Sequence, residues 1–304
     1  MCGLFGIIDH QGALNAQQKN HILSMLSREC ESRGTDATGI AYNYCGRLRM
    51  YKRPLPAHRM RFRVPEGVKV IMGHTRMATQ GSAKFTYNDH PWSTGSFALA
   101  HNGVLWNDKE LRRTEQLPAT HIETDSYIAV QLLAKEKALN CRSLQRMAEA
   151  VEGTFVFTVL DKRDNLYFVR GDNPLTIFRY HGFDLYASTE QILLAAERRL
   201  GLRHRREIRT EEGDILQIDN TGRLSWSHFR SHRSWEHLCR GFYPPTSASA
   251  DYDYLLDAAN TMGVPGEEVQ VLLDFGYDPD EIEGLLYEPA ALHEIVLTLQ
   301  CGAV

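Results

Sequence analysis

The chain has 304 residues, 43% of them hydrophobic and 24% charged, with a formal net charge of −4. That composition can fill one large apolar core or two smaller ones, and it excludes collagen-like, coiled-coil and wholly disordered chains. No apolar run approaches the roughly 18 residues that a membrane-spanning helix needs. Residues 4–8 are too short for a secretory signal and lack its basic flank, so a cytoplasmic protein with no membrane partner is expected.

In chain order, residues 4–8 read as a short buried strand, and Ile22, Met25 and Leu26 recur at helical spacing until Arg33-Gly34 stops the helix. Strands are predicted at 40–44, 48–52, 68–73, 97–101, 154–160, 166–170, 175–180 and 185–188, where β-branched and aromatic residues run between Gly, Asn, Asp and Pro signals. Helices are predicted at 126–139, 143–151 and 190–200. Many short strands with a helical pair inserted midway predict an α+β protein with two antiparallel sheets packed together and covered by helices. After Ile218 the strand signal fades. Residues 229–250, with Tyr243-Pro244-Pro245-Thr246-Ser247, read as a linker, and short helical patterns follow at 252–262, 267–275, 279–286 and 289–299, separated by Pro and Gly. The expected organisation is a domain over 1–228, a linker over 229–250 and an all-helical appendage over 251–304.

Charge supports that division. Residues 241–304 carry twelve Asp and Glu and no Lys or Arg, whereas residues 1–240 hold all 34 basic side chains against the remaining 26 of the 38 acidic ones. The acidic helices read as a solvated face or as a docking element for a protein partner. The Arg198, Arg199, Arg203, Arg205, Arg206 and Arg209 run is read as solvated or internally paired, and no nucleic-acid partner is expected. The six cysteines (2, 30, 45, 141, 239 and 301) contain no CxxC pair, which disfavours a disulfide framework or a zinc ribbon. His228 and His232 have helical i,i+4 spacing but no zinc-ligand pattern beside them, and neither Walker A nor GxGxxG is present, so no metal and no cofactor are expected.

Cys2 is the exceptional cysteine. Removal of Met1 ahead of a small residue would leave it as the N-terminus, where its α-amine, with a reference pKa of about 7.7–8.0, can take the thiol proton near neutral pH. Gly3 and Gly6 allow backbone to approach a reacting carbonyl closely. Gly73-His74-Thr75-Arg76 ends a strand in the side chain best suited to a bidentate grip on a carboxylate. His101-Asn102-Gly103 ends another strand, where an amide side chain and a Gly N–H can form an oxyanion hole. Glu123-Thr124-Asp125-Ser126 opens a helix with an acid able to hold an ammonium group.

These segments, with Ser32-Arg33-Gly34-Thr35-Asp36, Thr38-Gly39, Asn88-Asp89-His90-Pro91, Ala187-Ser188-Thr189-Glu190 and Glu212-Gly213-Asp214-Ile215, resemble the class II glutamine amidotransferases, whose glutaminase domain is an N-terminal-nucleophile hydrolase. The resemblance covers roughly residues 2–218 and is closest to the glutaminase half of the glucosamine 6-phosphate synthases. It implies a four-layer αββα sandwich. It also implies Cys2 as nucleophile with its α-amine as base, Asn102 and Gly103 as the oxyanion hole, Arg76 on the α-carboxylate of L-glutamine and Asp125 on its α-ammonium. Thr79 and His90 match positions lining the glutamine pocket, and Arg33 matches a residue supporting the catalytic loop. Met77 stands where that branch has Trp in a closing loop, which leaves the lid and its coupling to a synthase open.

Three functions remain in play. Glutamine hydrolysis through a Cys2 thioester, with ammonia passed to a separate partner synthase, leads. A stand-alone amidase acting on another γ-glutamyl amide and a non-catalytic regulatory protein on the same fold are the alternatives. The pattern Leu272-Leu273-Asp274-Phe275-Gly276-Tyr277 is weakly similar to a ubiquitin-associated three-helix module, a resemblance that short helical patterns produce readily.

Overall fold

A computed structural model describes residues 2–136, 138–230, 253–275, 277, 279–286 and 289–301. Its contacts divide the chain into two compact units, Met1–Ser234 and Trp235–Val304.

The strands of the first unit are β1 (Gly3–Ile8), β2 (Ala37–Tyr44), β3 (Arg47–Arg53), β4 (Val70–Arg76), β5 (Trp92–Ser93), β6 (Phe97–Leu105), β7 (Gly153–Asp161), β8 (Leu166–Arg170), β9 (Thr176–Arg179), β10 (Asp184–Ala187), β11 (Arg206–Glu207), β12 (Asp214–Ile218) and β13 (Leu224–His228). Its helices are α1 (Ala16–Glu29), α2 (Asp108–Thr114), α3 (Tyr127–Lys135), α4 (Cys141–Ala150) and α5 (Glu190–Leu200). A seven-stranded sheet runs β11-β9-β10-β1-β4-β2-β3 and a six-stranded sheet runs β13-β12-β8-β7-β6-β5, with antiparallel pairing throughout.

The layering follows from side-chain alternation. Leu4 and Ile8 of β1 and Met72 of β4 share an apolar layer with Ala98 and Ala100 of β6, Val156 of β7 and Phe168 of β8, so these residues close the gap between the sheets. Their neighbours point outwards: Phe5, Ile7 and Ile71 pack against Ile22, Leu23 and Leu26 of α1 and Leu193 of α5. On the far side, Leu99, Phe157 and Val159 meet Ile128 and Leu133 of α3 and Leu144 and Met147 of α4. Helix, sheet, sheet, helix is the resulting order, as the sequence predicts. Central strands are apolar on both faces because both faces are covered.

Four details differ from the sequence expectation. β4 begins at Val70, two residues later than the 68–73 run, and its pairing with β1 and β2 extends through the polar His74-Thr75-Arg76 segment that the sequence places at its end. The helix expected over 126–139 stops at Lys135. α2 was not anticipated. β13 pairs with β12 although strand signal is weak after Ile218; Ser225, Trp226 and His228 are exposed, so burial left little apolar pattern to read there.

The second unit contains α6 (Asp253–Met262), α7 (Gly266–Asp274), α8 (Pro279–Leu286) and α9 (Pro289–Cys301). Leu255, Ala259, Val269, Leu272, Ile282, Leu286, Leu292 and Val296 give it an apolar core of its own. Most of the expected 229–250 linker lies outside the described residues. Among the described residues, no helix is long and apolar enough to cross a membrane.

Candidate active site

The site grows from the N-terminal end of β1. Gly3 pairs with Thr75 of β4, and a Cβ at Gly3 would lie 2.6 Å from Thr75 Oγ1 and 3.2 Å from the Cys30 carbonyl, so only glycine lets the two strands close there. Cys2 sits at the lip of this junction. Its carbonyl accepts a hydrogen bond from Arg33 Nε at 2.8 Å, and its thiol donates to the Met77 carbonyl at 3.5 Å. Burial pushes the Cys2 thiol up, while the N-terminal charge and Arg76 pull it down.

Arg76, the last residue of β4, is only 2% exposed. One terminal nitrogen donates to Asp89 Oδ1 at 2.8 Å; the other donates to the carbonyls of Gln80 at 2.6 Å and Gly81 at 2.8 Å, with Thr124 Oγ1 at 3.4 Å. A buried guanidinium has to be satisfied in this way, because an unpaired buried charge is very costly. The fork expected to grip a carboxylate therefore grips Asp89 in this conformation. The 32–36 segment closes the same junction. A Cβ at Gly34 would come within 2.4 Å of the Arg76 backbone, Asp36 N–H donates to the Arg76 carbonyl, and Asp36 Oδ2 accepts from Ala78 N–H.

β6 carries the second half of the site. Asn102 is 1% exposed, and it follows Ala98 and Ala100 on the face turned towards the other sheet. Its backbone carbonyl accepts from Asn173 Nδ2 at 3.1 Å, yet neither its side-chain oxygen nor its side-chain nitrogen has a protein partner. Gly103 has φ +141°, a conformation that side-chain-bearing residues rarely adopt, and a Cβ there would collide with the Thr154 carbonyl. Asp125, buried just ahead of α3, accepts from Leu105 N–H at 2.7 Å through one oxygen and from Ser126 Oγ at 3.2 Å through the other. The Ser126 hydroxyl also meets His101 Nδ1 at 2.6 Å. Both Asp125 and Arg76 act electrostatically on the Cys2 thiol, which links the β6 group to the β1 group.

Three buried imidazoles back the site. His90 stacks on His74 at 4.1 Å between ring centres and lies tilted against Trp92 at 4.0 Å, and both of its ring nitrogens lack a protein partner. Burial drives His90 well below its ordinary range, His74 down to about 3 and His101 down to about 4, so all three are neutral near pH 7. Thr79 is exposed on the loop after β4, directly before Gln80, whose carbonyl Arg76 holds. Asp89 and Ser126, which hold Arg76 and Asp125, were not singled out from the sequence; their positions inside the quoted Asn88–Pro91 and Glu123–Ser126 segments were the available signal. His228 of the candidate i,i+4 pair meets Asp214 at 2.8 Å, and His232 lies outside the described residues.

Residues 62–208 match the family model described as a glutamine amidotransferase domain. The matched stretch, just under half of the chain, is similar to class II glutamine amidotransferase domains. The chain is 28% identical over 207 residues to glutamine–fructose-6-phosphate aminotransferase (isomerizing) of Streptococcus pyogenes serotype M3, covering 64% of this chain and 33% of that protein. It is 24% identical over 250 residues to the enzyme of the same name from Helicobacter pylori, covering 78% and 38% respectively. The chain thus spans about a third of the length of these curated relatives. Among solved structures, the glutamine phosphoribosylpyrophosphate amidotransferase from B. subtilis superimposes with a TM-score of 0.59 at 22% identity, over 75% of this chain and 49% of that one. That likeness bears on the fold alone: two antiparallel sheets packed together and covered by helices.

Proposed function

We propose that the amidotransferase domain hydrolyses the side-chain amide of L-glutamine and that the ammonia passes to a synthase on a separate chain. With Met1 removed, the Cys2 thiol gives its proton to its own α-amine and adds to the amide carbon. The resulting oxyanion is met by the Asn102 side-chain amide and the Gly103 N–H. The C–N bond breaks, the amine's proton leaves with ammonia, and water then splits the γ-glutamyl thioester to glutamate and free thiol. Arg76 and Asp125 hold the α-carboxylate and α-ammonium, His90 and Thr79 line the pocket, and Gly3 and Arg33 position the nucleophile's backbone.

The observation that carries this reading is Asn102: a fully buried carboxamide with both polar atoms unpartnered is expensive unless a ligand completes it. The pairing of Arg76 with Asp89 adds a condition. Glutamine's carboxylate has to take one face of the guanidinium from Asp89 or from the carbonyls of Gln80 and Gly81.

The test is the intact mass of the purified protein before and after exposure to a diazo-ketone glutamine analogue, alongside Cys2→Ala. Loss of Met1 with one Cys2-dependent adduct is expected; processed wild-type protein that stays unlabelled would overturn the reading. Delivery to a partner predicts low glutaminase turnover that rises when the synthase is added.

One feature favours a second substrate class. Met77, Val104 and Trp106 are 48%, 38% and 51% exposed, the first holding the Cys2 thiol through its carbonyl and the others following Gly103. Apolar side chains there suit a γ-glutamyl amide with an apolar substituent on nitrogen. A kcat/KM for γ-glutamyl anilide above that for glutamine would select this reading.

A further inference from the structure

Between Ala37 and Pro65 the chain has seven Lys and Arg and not one Asp or Glu. Six of the seven are the exposed Arg47, Arg49, Arg53, Arg59, Arg61 and Arg63. β3 is the edge strand of its sheet, and Arg47, Arg49, Tyr51 and Arg53 lie opposite Tyr44, Tyr42, Ile40 and Thr38 of β2. Cross-strand partners share a face, so each of the first two arginines stands beside a tyrosine. Arg53 lies over the Tyr51 ring at 5.0 Å. Ile40 fixes this as the α1 side, since it belongs to the same apolar cluster as α1.

The second row is on that side too. Met60, Phe62 and Val64 are buried in the α1-side cluster against Tyr42 and Tyr51, and the residues alternating with Met60, Phe62 and Val64 are Arg59, Arg61 and Arg63, all exposed. Among the described residues, no carboxylate forms an ion pair with any of the six. Two rows of guanidinium groups without a carboxylate partner, repeating every second residue beside tyrosine rings, therefore cover one face of the first unit.

We propose that this face binds single-stranded nucleic acid, the arginines taking phosphates and Tyr44, with Tyr42 and Tyr51 behind it, offering rings to bases. Alternate residues of an extended chain are about 6.6 Å apart, a repeat commensurate with successive phosphates of a stretched single strand. Guanidinium forks match phosphate oxygens, and aromatic side chains between them are what sequence-tolerant single-strand binding uses. Charge on an edge strand also blocks edge-to-edge pairing, but that task needs neither the second arginine row nor the tyrosines. The proposal is independent of glutamine hydrolysis. It departs from the sequence expectation of no nucleic-acid partner, which weighed only the run from Arg198 to Arg209.

The test is fluorescence anisotropy of a labelled 20-nucleotide single-stranded RNA and DNA of mixed sequence, titrated with the full chain from 50 to 200 mM salt. With about −0.7 in log K per log salt for each phosphate contact, six contacts give a slope near −4. Arg59→Ala with Arg61→Ala and Arg63→Ala halves that slope, and Tyr44→Ala weakens binding roughly tenfold without changing it. Unchanged circular dichroism and Tm establish that the variants fold. Equal affinity of wild type and the triple variant overturns the proposal, as does binding to a labelled poly-glutamate peptide as tight as to the oligonucleotide, which would assign the face to an acidic protein instead.

Discussion

Two buried polar clusters flank β1, and they are built on opposite terms. Near its C-terminal end, Lys19 and Asp9 form an ion pair at 2.8 Å with both side chains almost fully buried. The lysine also donates to the Val68 carbonyl, and the aspartate accepts from the N–H groups of Ala13 and Leu14. The cluster closes on itself. At the N-terminal end, Asn102 keeps two unpartnered polar atoms, His90 keeps two, and His74 Nδ1 and Asp89 Oδ2 keep one each. Burial is similar in the Lys19–Asp9 cluster and in this group; the completeness of hydrogen bonding differs, although His10 beside Asp9 also keeps two unpartnered ring nitrogens. A closed cluster ties a helix and a loop to the sheet, whereas an open one carries desolvation cost that a bound ligand can relieve.

That contrast can be broken most sharply at Cys2. Cys2→Ala is expected to lower glutaminase turnover by at least ~10³-fold while leaving Tm unchanged, because removing a nucleophile touches chemistry and not packing. Detectable turnover near wild type would end the nucleophile assignment. At the closed end the pattern reverses. Lys19→Met strands Asp9 as a buried unpaired charge and should cost about 3–5 kcal/mol in urea unfolding, with kcat per folded molecule preserved. A loss of activity without a loss of stability would mean the two ends are coupled.

Asn102→Ala separates the two behaviours within one residue. Its side chain has no protein partner to lose, so stability should stay within about 1 kcal/mol, yet the proposed oxyanion-hole role requires kcat to fall about 10²–10³-fold. Large destabilisation with intact kcat would make it a structural residue.

The open end should also fail first in acid. His74 and His101 are held near 3 and 4 in the folded chain, against an ordinary value of about 6.5. Below pH 6.5 the unfolded chain therefore binds more protons than the folded one, and stability falls as pH drops towards 4, by on the order of 3 kcal/mol for one such ring. Between pH 7 and 9 these rings contribute no slope. Tm measured from pH 7.5 to 5 checks this, because the window lies above the titration of ordinary carboxylates; a flat profile would contradict the neutral burial. The smallest effect belongs to Thr79→Ala, which should leave stability within ~0.5 kcal/mol since the residue is exposed, and should raise KM rather than lower kcat if the loop closes over substrate.

The layer order is legible in the sequence, because runs such as Leu4–Ile8 and the amphipathic α1, α4 and α5 patterns state which residues must be covered. The site was legible as segments: Cys2, Arg76, Asn102, Gly103 and Asp125 each stood in a recognisable context. Three things stayed hidden. Asp89 sits between two residues already noted, and only the fold shows that its carboxylate meets the Arg76 guanidinium. β13 pairs through its backbone, which leaves no apolar signature when its side chains face water. The arginine rows at 47–53 and 59–63 lie apart in sequence and share a face only because the second row's apolar partners are buried on the α1 side.

Residue type and order by themselves determined the chemistry on offer: a thiol next to the chain's start, a cation and an acid for the two ends of an amino acid, an amide and a glycine for an oxyanion. Those are local properties, carried by each side chain wherever it lies. Tertiary structure alone decided which of them are satisfied and which are left open. Asn102 and Lys19 are both buried and polar, and their difference in partnering lies in groups supplied by distant strands and loops, across separations that no local pattern encodes.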